Sequence, residues 1–230
     1  MLYKNLFIDL DDTLWAFSLN ARDTYEEMYW KYGYNRYFDS FEHYYSLYQR
    51  RNLDLWAEYA DGKVTKEELN RQRYLYPLEA VGAGDSTLAK AYERDALTMI
   101  PTKSKLMPHA REVLEYLSGK YNLYILSNGF KELQSHKMRS SGIDEYFKKV
   151  VLSDDIGILK PWPEIFHFAL STTQSELNNS LMIGDSWEND IVGAAGVGMH
   201  QVFYNLSGRT DLPFAPTYQI TDLKDLFNFL

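Results

Sequence analysis

The sequence predicts an α/β fold: a parallel sheet covered by helices on both faces, with a helical domain inserted after the first strand. Short apolar runs of the kind that form buried strands recur along the chain. Helical patterns separate them, and strands that alternate with helices indicate a parallel sheet. One long region breaks the alternation because it has helical patterns and no such run. We therefore assign residues 1–15 and 102–230 to the core and residues 16–101 to the inserted domain.

Five segments are predicted to be strands. The first covers residues 6–10, an apolar run that ends in acidic residues. The others follow the inserted region at residues 123–126, 150–152, 181–183 and 201–204. Each is a short apolar run, as expected of a strand inside a sheet.

Helices are predicted between these strands at residues 108–117, 163–170 and 187–195. In the first of them a proline suits the opening turn, and apolar residues follow at helical spacing.

The inserted region is rich in tyrosine, phenylalanine and tryptophan. Residues 61–63 form a predicted turn, and Thr65 and Glu68 have the spacing of a capping box at the start of a helix. Residues 82–84 mark a second break. The region is therefore predicted to contain several helices.

Composition narrows the class of protein. Apolar residues make up 45% of the 230 residues, which is enough for a folded core. The formal net charge of −8 disfavours polymeric nucleic acid as a partner. The absence of cysteine excludes disulfides and thiolate metal sites. We find no apolar stretch of membrane-spanning length and no signal-peptide pattern, and we expect a cytoplasmic monomer or homodimer without a membrane segment.

The first candidate catalytic residues follow the first strand: Asp9, Asp11 and Thr13. In an open parallel sheet, ligands bind at the carboxyl ends of the strands. Carboxylates there repel one another, and Mg²⁺, which prefers oxygen ligands, relieves the repulsion. Asp9 can then act as a nucleophile and Asp11 as acid and base. Taken alone, an acidic turn that caps a helix explains these residues equally well.

Two further motifs supply groups that can bind phosphate. Ser127, Asn128 and Gly129 follow the second strand, where a hydroxyl and main-chain N–H groups can bind a phosphate oxygen. An ordinary turn of that composition is the favoured explanation when the motif is taken alone. Lys160 precedes Pro161 and can balance the charge of Asp9 and phosphate, although a single lysine is more often solvated.

The last motif carries a second pair of carboxylates. Asp185 follows the fourth strand and is expected to bind the metal, and Asp190 is expected to orient Asp185 or the waters of the metal. Acidity at a helix N-terminus is the alternative. Each motif is a weak signal alone, but together they contain every group that phosphoryl transfer needs.

These four motifs resemble those of the haloacid dehalogenase-like (HAD) superfamily over nearly the whole chain. The resemblance implies a Rossmann-like core and an inserted helical cap of the C1 type. It implies that Asp9 is phosphorylated and that Mg²⁺ is held by Asp9, the main-chain carbonyl of Asp11 and Asp185, with Asp190 beside them. The residues expected to bind phosphate are Thr13, Ser127, Asn128, Gly129 and Lys160.

Two positions in the first motif bear on the reaction. Asp12 departs from the pattern, since many members have glycine there, and it adds one more carboxylate near the metal. Asp11 favours a phosphatase over a dehalogenase, because it can protonate a departing alcohol and a halide needs no such acid.

The cap is expected to select the substrate. Its segments 52–59, 62–63 and 71–74 are similar to the cap of the superfamily branch that hydrolyses pyrimidine nucleoside monophosphates, and the predicted substrate contacts are Asn52, Trp56 and Arg73. Aromatic side chains there would stack on a base. Plain helix packing is the alternative, since residues 53, 56 and 59 share one helix face.

Three other functions stay open. A sugar-phosphate phosphatase or a phosphomutase would carry the same motifs. A phosphonate hydrolase would need a cap lysine that forms a Schiff base, for which Lys31, Lys63 and Lys66 are candidates. A catalytically silent binding protein is the third, and the complete set of motif residues argues against it.

Overall fold

The computed structural model describes residues 2–230, and the chain divides into two compact units. The core unit contains the residues up to Phe17 together with Ser104–Leu230. The helical unit contains Ser18–Lys103.

Among the described residues, six strands form one parallel sheet in the core unit, in the order β3-β2-β1-β4-β5-β6. The α/β fold predicted from the alternating pattern is therefore confirmed, and each of the five predicted strands overlaps an observed one. The strands are β1 (Asn5–Ile8), β2 (Asn122–Ser127), β3 (Lys149–Leu152), β4 (Ser180–Gly184), β5 (His200–Tyr204) and β6 (Tyr218–Ile220).

The sixth strand, β6, was not predicted. It has three residues, of which only Ile220 is buried. A segment that short and that polar lacks the apolar run by which the other strands are recognised.

The register of the central strands brings three motifs to one edge of the sheet. Ile8 of β1 pairs with Ile125 of β2 on one side and with Ile183 of β4 on the other. Because the three strands are parallel, the residues that follow them emerge at the same edge. Asp9 continues this alignment, as its main-chain N–H donates to the Ile183 carbonyl at 2.9 Å.

Four α-helices build the helical unit, as the patterns of the inserted region predict. They are α1 (Phe17–Lys31), α2 (Phe41–Ala60), α3 (Lys66–Ala80) and α4 (Ser86–Met99). The predicted capping box is confirmed: Thr65 accepts from the Glu68 N–H, and the Glu68 carboxylate accepts from the Thr65 N–H. Asp85 caps α4 after the glycine-containing break.

Buried tyrosines form the interior of the helical unit. The hydroxyl of Tyr25 lies 2.6 Å from that of Tyr48 and 3.2 Å from that of Tyr74, which joins α1, α2 and α3. The Tyr25 and Tyr48 rings are 4.6 Å apart. Much of the aromatic excess of the sequence therefore serves packing, and the three hydroxyls of Tyr25, Tyr48 and Tyr74 are paired to one another.

The core unit has four further α-helices, and two of them match predictions at residues 108–117 and 163–170. They are α5 (Ala110–Ser118), α6 (Lys131–Ser141), α7 (Pro163–Thr173) and α8 (Gly193–Gly196). Helix α7 packs on the sheet, where Phe166 belongs to an apolar cluster with Phe7 and Met182.

Helix α6 was missed because its buried face is polar. The buried residues are Gln134, Lys137, Met138 and Ser141, so the 3.6-residue repeat is present but carries only one apolar side chain.

The helix predicted at residues 187–195 begins as a π-helical segment, Trp187–Val192, and continues as α8. The Ser186 carbonyl accepts from the N–H groups of both Asp190 and Ile191, so the first turn is wider than an α-helical one. No helix among residues 2–230 is both long enough and apolar enough to span a membrane.

Candidate active site

Lys160 links two carboxylates at the edge of the sheet. Its Nζ donates to Asp9 Oδ1 at 2.6 Å, to Asp190 Oδ1 at 2.6 Å and to the Leu126 carbonyl at 2.7 Å. Only 2% of the Lys160 surface is exposed, so this lysine is not the solvated side chain that a lone lysine usually is. The ammonium group is positioned to neutralise charge on Asp9 and on a ligand beside it.

Thr13 connects the loop after β1 to the loop after β4. Its hydroxyl donates to Asp185 Oδ1 at 2.9 Å and accepts from the Asp185 N–H at 3.1 Å. The sequence suggested phosphate as the partner of Thr13, whereas the structure has its side chain on Asp185.

Asp190 uses both of its carboxylate oxygens within the core unit. Oδ1 accepts from Lys160, and Oδ2 accepts from the Ser186 N–H at 3.1 Å. Gly184 makes room for it, since a β carbon at that position would lie 2.2 Å from Asp190 Oδ2. Asp190 therefore orients Lys160 and the turn that carries Asp185.

Asp9, Asp185 and Asp190 form a cluster in which one oxygen of each carboxylate lies within 4.8 Å of the others. Burial raises the pKa of Asp9 well above its usual range, against the opposing charge of Lys160. Burial and the charge of Asp190 raise the pKa of Asp185 to about 7. In their fully ionised form these three carboxylates face one ammonium group, so two negative charges are unbalanced, and this repulsion contributes to the raised pKa values.

This charge imbalance fits a divalent cation with oxygen ligands. The second carboxylate oxygens of Asp9 and Asp185 accept no hydrogen bond from residues 2–230, whereas both oxygens of Asp190 are engaged. Asp185 accordingly has one oxygen available to a metal, and Asp9 has one oxygen available to a ligand.

Asp11 is held by two residues of α6 that the sequence did not indicate. Lys137 Nζ donates to Asp11 Oδ1 at 2.7 Å and to Oδ2 at 2.9 Å. Gln134 Nε2 donates to Asp11 Oδ2 at 2.9 Å. The available signal was the placement of these two residues, since polar side chains occupy the helix positions that normally pack on the sheet.

Ser127 and Asn128 of the second motif have different hydrogen-bond partners. The buried Ser127 hydroxyl accepts from Gln134 Nε2 at 2.8 Å and from the Gly129 N–H at 3.2 Å. The Asn128 side chain exchanges two hydrogen bonds with the main chain of Lys160, at 2.7 and 2.9 Å. The Asn128 amide therefore fixes the position of Lys160.

Two of the predicted substrate contacts in the helical unit have buried polar atoms without partners. Asn52 Oδ1 and Arg73 Nε form no hydrogen bond with any residue in the range 2–230. Arg73 is buried over the Tyr74 ring at 5.1 Å and donates to Asn70. Trp56 is half-buried, with its ring 5.9 Å from that of Tyr59.

Two alternatives from the sequence lose support in the helical unit. Leu53 is 71% exposed, so the face formed by residues 53, 56 and 59 is not simply core packing. Lys31 pairs with Asp95 and Lys63 with Asp61, and these bonds raise the pKa of both lysines. A lysine that forms a Schiff base needs the opposite shift, so Lys31 and Lys63, two of the three candidates, do not suit that role.

One family of hydrolases and several known proteins are similar to this chain over most or all of its length. The model of the haloacid dehalogenase-like hydrolase family matches residues 3–198. Pyrimidine 5'-nucleotidase YjjG of Escherichia coli (strain K12) is 28% identical over 232 residues, which cover 100% of this chain and 99% of that protein. Pyrimidine 5'-nucleotidase PynA of Streptococcus pneumoniae (strain ATCC BAA-255 / R6) is 27% identical, covering 100% of this chain and 96% of that protein.

A solved structure also resembles the chain along its whole length. The crystal structure of the putative HAD-hydrolase YfnB from Bacillus subtilis, bound to magnesium, has a TM-score of 0.88 and 26% sequence identity. The match covers 100% of this chain and 99% of that one.

Proposed function

Because the chain belongs to the haloacid dehalogenase-like hydrolases, we propose that it is an Mg²⁺-dependent phosphatase that forms a phosphoryl intermediate on Asp9. The observation that carries the proposal is the state of the Asp9 carboxylate. One oxygen is bound to the buried Lys160 ammonium, and the other accepts no hydrogen bond from residues 2–230. An oriented carboxylate with one unengaged oxygen is suited to nucleophilic attack.

In the first half-reaction, the unengaged oxygen of Asp9 attacks phosphorus and the ester P–O bond breaks. Asp11, as a carboxylic acid, gives its proton to the departing oxygen. The Lys160 ammonium neutralises charge beside Asp9, and the Ser127 hydroxyl, which accepts two hydrogen bonds, donates its own proton to a phosphoryl oxygen.

In the second half-reaction, water attacks the phosphorus of the Asp9 phosphoryl group. Asp11, now a carboxylate, accepts a proton from that water, and the bond between Asp9 and phosphorus breaks. Inorganic phosphate leaves, and both carboxyl groups return to their starting forms.

The residues that would hold Mg²⁺ are Asp185 through the oxygen that Thr13 does not bind, Asp11 through its main-chain carbonyl, and Asp9 through the oxygen that also accepts from Lys160, so that the other Asp9 oxygen remains the nucleophile. Support comes from the unbalanced charge of the Asp9, Asp185 and Asp190 cluster. The ion, when bound, supplies positive charge that stabilises the phosphoryl oxygens. Thr13 and Asp190 orient the groups around it through their hydrogen bonds to Asp185 and Lys160.

For the substrate we propose a nucleoside monophosphate with a pyrimidine base, selected by Asn52, Trp56 and Arg73. Asn52 Oδ1 and Arg73 Nε are a buried acceptor and a buried donor without partners. Such atoms are costly to bury, and a ligand that pairs with them recovers that cost. The names of the two nucleotidase relatives support the same substrate class.

A panel of pyrimidine and purine nucleoside monophosphates and sugar phosphates tests the substrate class. We expect the highest kcat/KM for a pyrimidine nucleoside monophosphate. Arg73→Met should lower the ratio of kcat/KM for that substrate to kcat/KM for a sugar phosphate about 10-fold or more. The ratio is independent of the folded fraction of the variant.

Arg71→Met is the matched control, because Arg71 is exposed and lies two residues away on α3. It should keep the selectivity of the unmodified protein. Equal rates on every substrate, or an unchanged ratio in Arg73→Met, would contradict the proposed substrate class.

A further inference from the structure

A buried lysine, Lys137, pairs with the carboxylate of Asp11. Its exposed fraction is 3%, and among the described residues Asp11 is the one carboxylate with which it forms an ion pair. The Nζ atom lies 4.8 Å from the centre of the Trp15 ring and 5.1 Å from that of Phe17. Two aromatic rings therefore lie near the ammonium group, where they attract its charge.

Gln134, one turn earlier in α6, also binds the Asp11 side chain. It is fully buried, and its Nε2 donates both to Asp11 Oδ2 and to the Ser127 hydroxyl. Gly129 lets the Gln134 side chain lie there, because a β carbon at Gly129 would be 2.0 Å from Gln134 Nε2. The first and second motifs are thus joined through one glutamine side chain.

Packing alone does not account for these two polar residues. Removing a lysine from water is costly, and a buried ion pair is often no more stabilising than apolar side chains of the same volume. Met138, on the same face of α6, is the kind of residue that would fill these positions if only packing mattered.

Both carboxyl oxygens of Asp11 are fixed by side chains of α6. Lys137 and Gln134 donate three hydrogen bonds to these two oxygens. The two residues therefore set the position of the carboxyl group that gives a proton in the first half-reaction and takes one from water in the second.

We infer that Lys137 and Gln134 are positioning residues that hold the Asp11 carboxyl group where it can take a proton from water in the second half-reaction. This inference rests on the proposed phosphatase function. With a substrate whose leaving group needs no proton, loss of either residue should slow hydrolysis of the phosphoryl group on Asp9 more than its formation.

The test uses p-nitrophenyl phosphate, whose leaving group departs without needing a proton. Lys137→Met should lower kcat about 10- to 100-fold, because a misplaced base retains only part of its effect. During turnover, the fraction of enzyme recovered as phosphoenzyme after acid quenching should rise toward one. Lys137→Arg, which keeps a cation, should recover part of kcat.

Two further variants complete the experiment. Arg139→Met is the matched control, since Arg139 is an exposed cation on the same helix, and it should behave like the unmodified protein. Gln134→Leu removes one donor without removing a buried charge, so it provides the same test if Lys137→Met does not fold.

The outcomes distinguish a failure of the proposed function from a failure of the inference about Lys137 and Gln134. Unmodified enzyme that turns over without any phosphoenzyme contradicts the proposed function itself. If the unmodified enzyme forms the intermediate, the inference is overturned when the Lys137 and Gln134 variants keep its kcat. A lower kcat with a lower phosphoenzyme fraction also overturns the inference, because the defect would then lie in the first half-reaction.

Discussion

Thr13 and Asp185 exchange two hydrogen bonds across the loops that follow β1 and β4. The Thr13 hydroxyl donates to Asp185 Oδ1 at 2.9 Å and accepts from the Asp185 main-chain N–H at 3.1 Å. One oxygen of Asp185 is fixed in this way, and the other remains available for a metal ion. The threonine thus sets the direction in which the carboxylate points.

Replacing Thr13 by valine should weaken Mg²⁺ activation. The side chain keeps its shape but no longer orients Asp185, and loss of such an orienting bond typically lowers metal affinity about 10- to 100-fold. The Mg²⁺ concentration for half-maximal phosphatase activity should rise by that factor. Thr13→Ser keeps the hydroxyl and should stay close to the unmodified value; an unchanged Mg²⁺ requirement in the valine variant would remove the assigned role of Thr13.

Replacing Gly184 by alanine should disturb Asp190. The added β carbon would lie 2.2 Å from Asp190 Oδ2 and 2.7 Å from its Cβ, neither of which can move freely in a buried turn. We expect a loss of about 1–3 kcal/mol in the free energy of unfolding and a fall in kcat of about 10-fold or more. Urea denaturation and steady-state kinetics measure the two effects.

Gly196→Ala is the control for this substitution, because nothing lies within 4 Å of a β carbon at that position in α8. It should change the free energy of unfolding by less than about 1 kcal/mol and leave kcat unaltered. Equal behaviour of the two alanine variants would show that the contact between Gly184 and Asp190 has no consequence.

Replacing Lys160 by methionine should destabilise the protein as well as inactivate it. The change leaves Asp9 and Asp190 buried without their shared cation, and breaking a buried ion pair costs about 3–5 kcal/mol. Urea denaturation with a chelator present measures this loss without a contribution from bound metal.

Lys224→Met removes a cation from a solvent-exposed ion pair with Glu112. This control should lose less than about 1 kcal/mol. If Lys160→Met loses no more than that, the buried ammonium does not hold Asp9 and Asp190 together as described.

The strands and the motif residues at their ends were predictable, because both depend on local sequence. The first five strands are apolar runs, and Asp9, Ser127 and Asp185 directly follow or end such runs. In a parallel sheet this placement alone brings them to one edge. Lys160 was placed by its motif, although its burial could not be inferred from one lysine.

The hydrogen bonds that hold these motif residues in place were not predictable, because they join residues that are distant in sequence. Lys137 lies 126 residues from Asp11, and in sequence it is indistinguishable from a solvated lysine on a polar helix. The roles of Thr13 and Asn128 changed for the same reason. Their partners, Asp185 and the main chain of Lys160, are fixed only by the fold.

The phosphoryl group on Asp9 tests the central claim most directly. Enzyme turning over a phosphomonoester with Mg²⁺ is quenched in acid, digested and analysed by mass spectrometry, with Asp9→Asn treated in parallel. We predict a phosphoryl group on Asp9 of the unmodified enzyme and neither phosphoryl group nor turnover in the folded Asn variant. Hydrolysis that proceeds with Asp9 unmodified, or that persists in Asp9→Asn, would contradict the account.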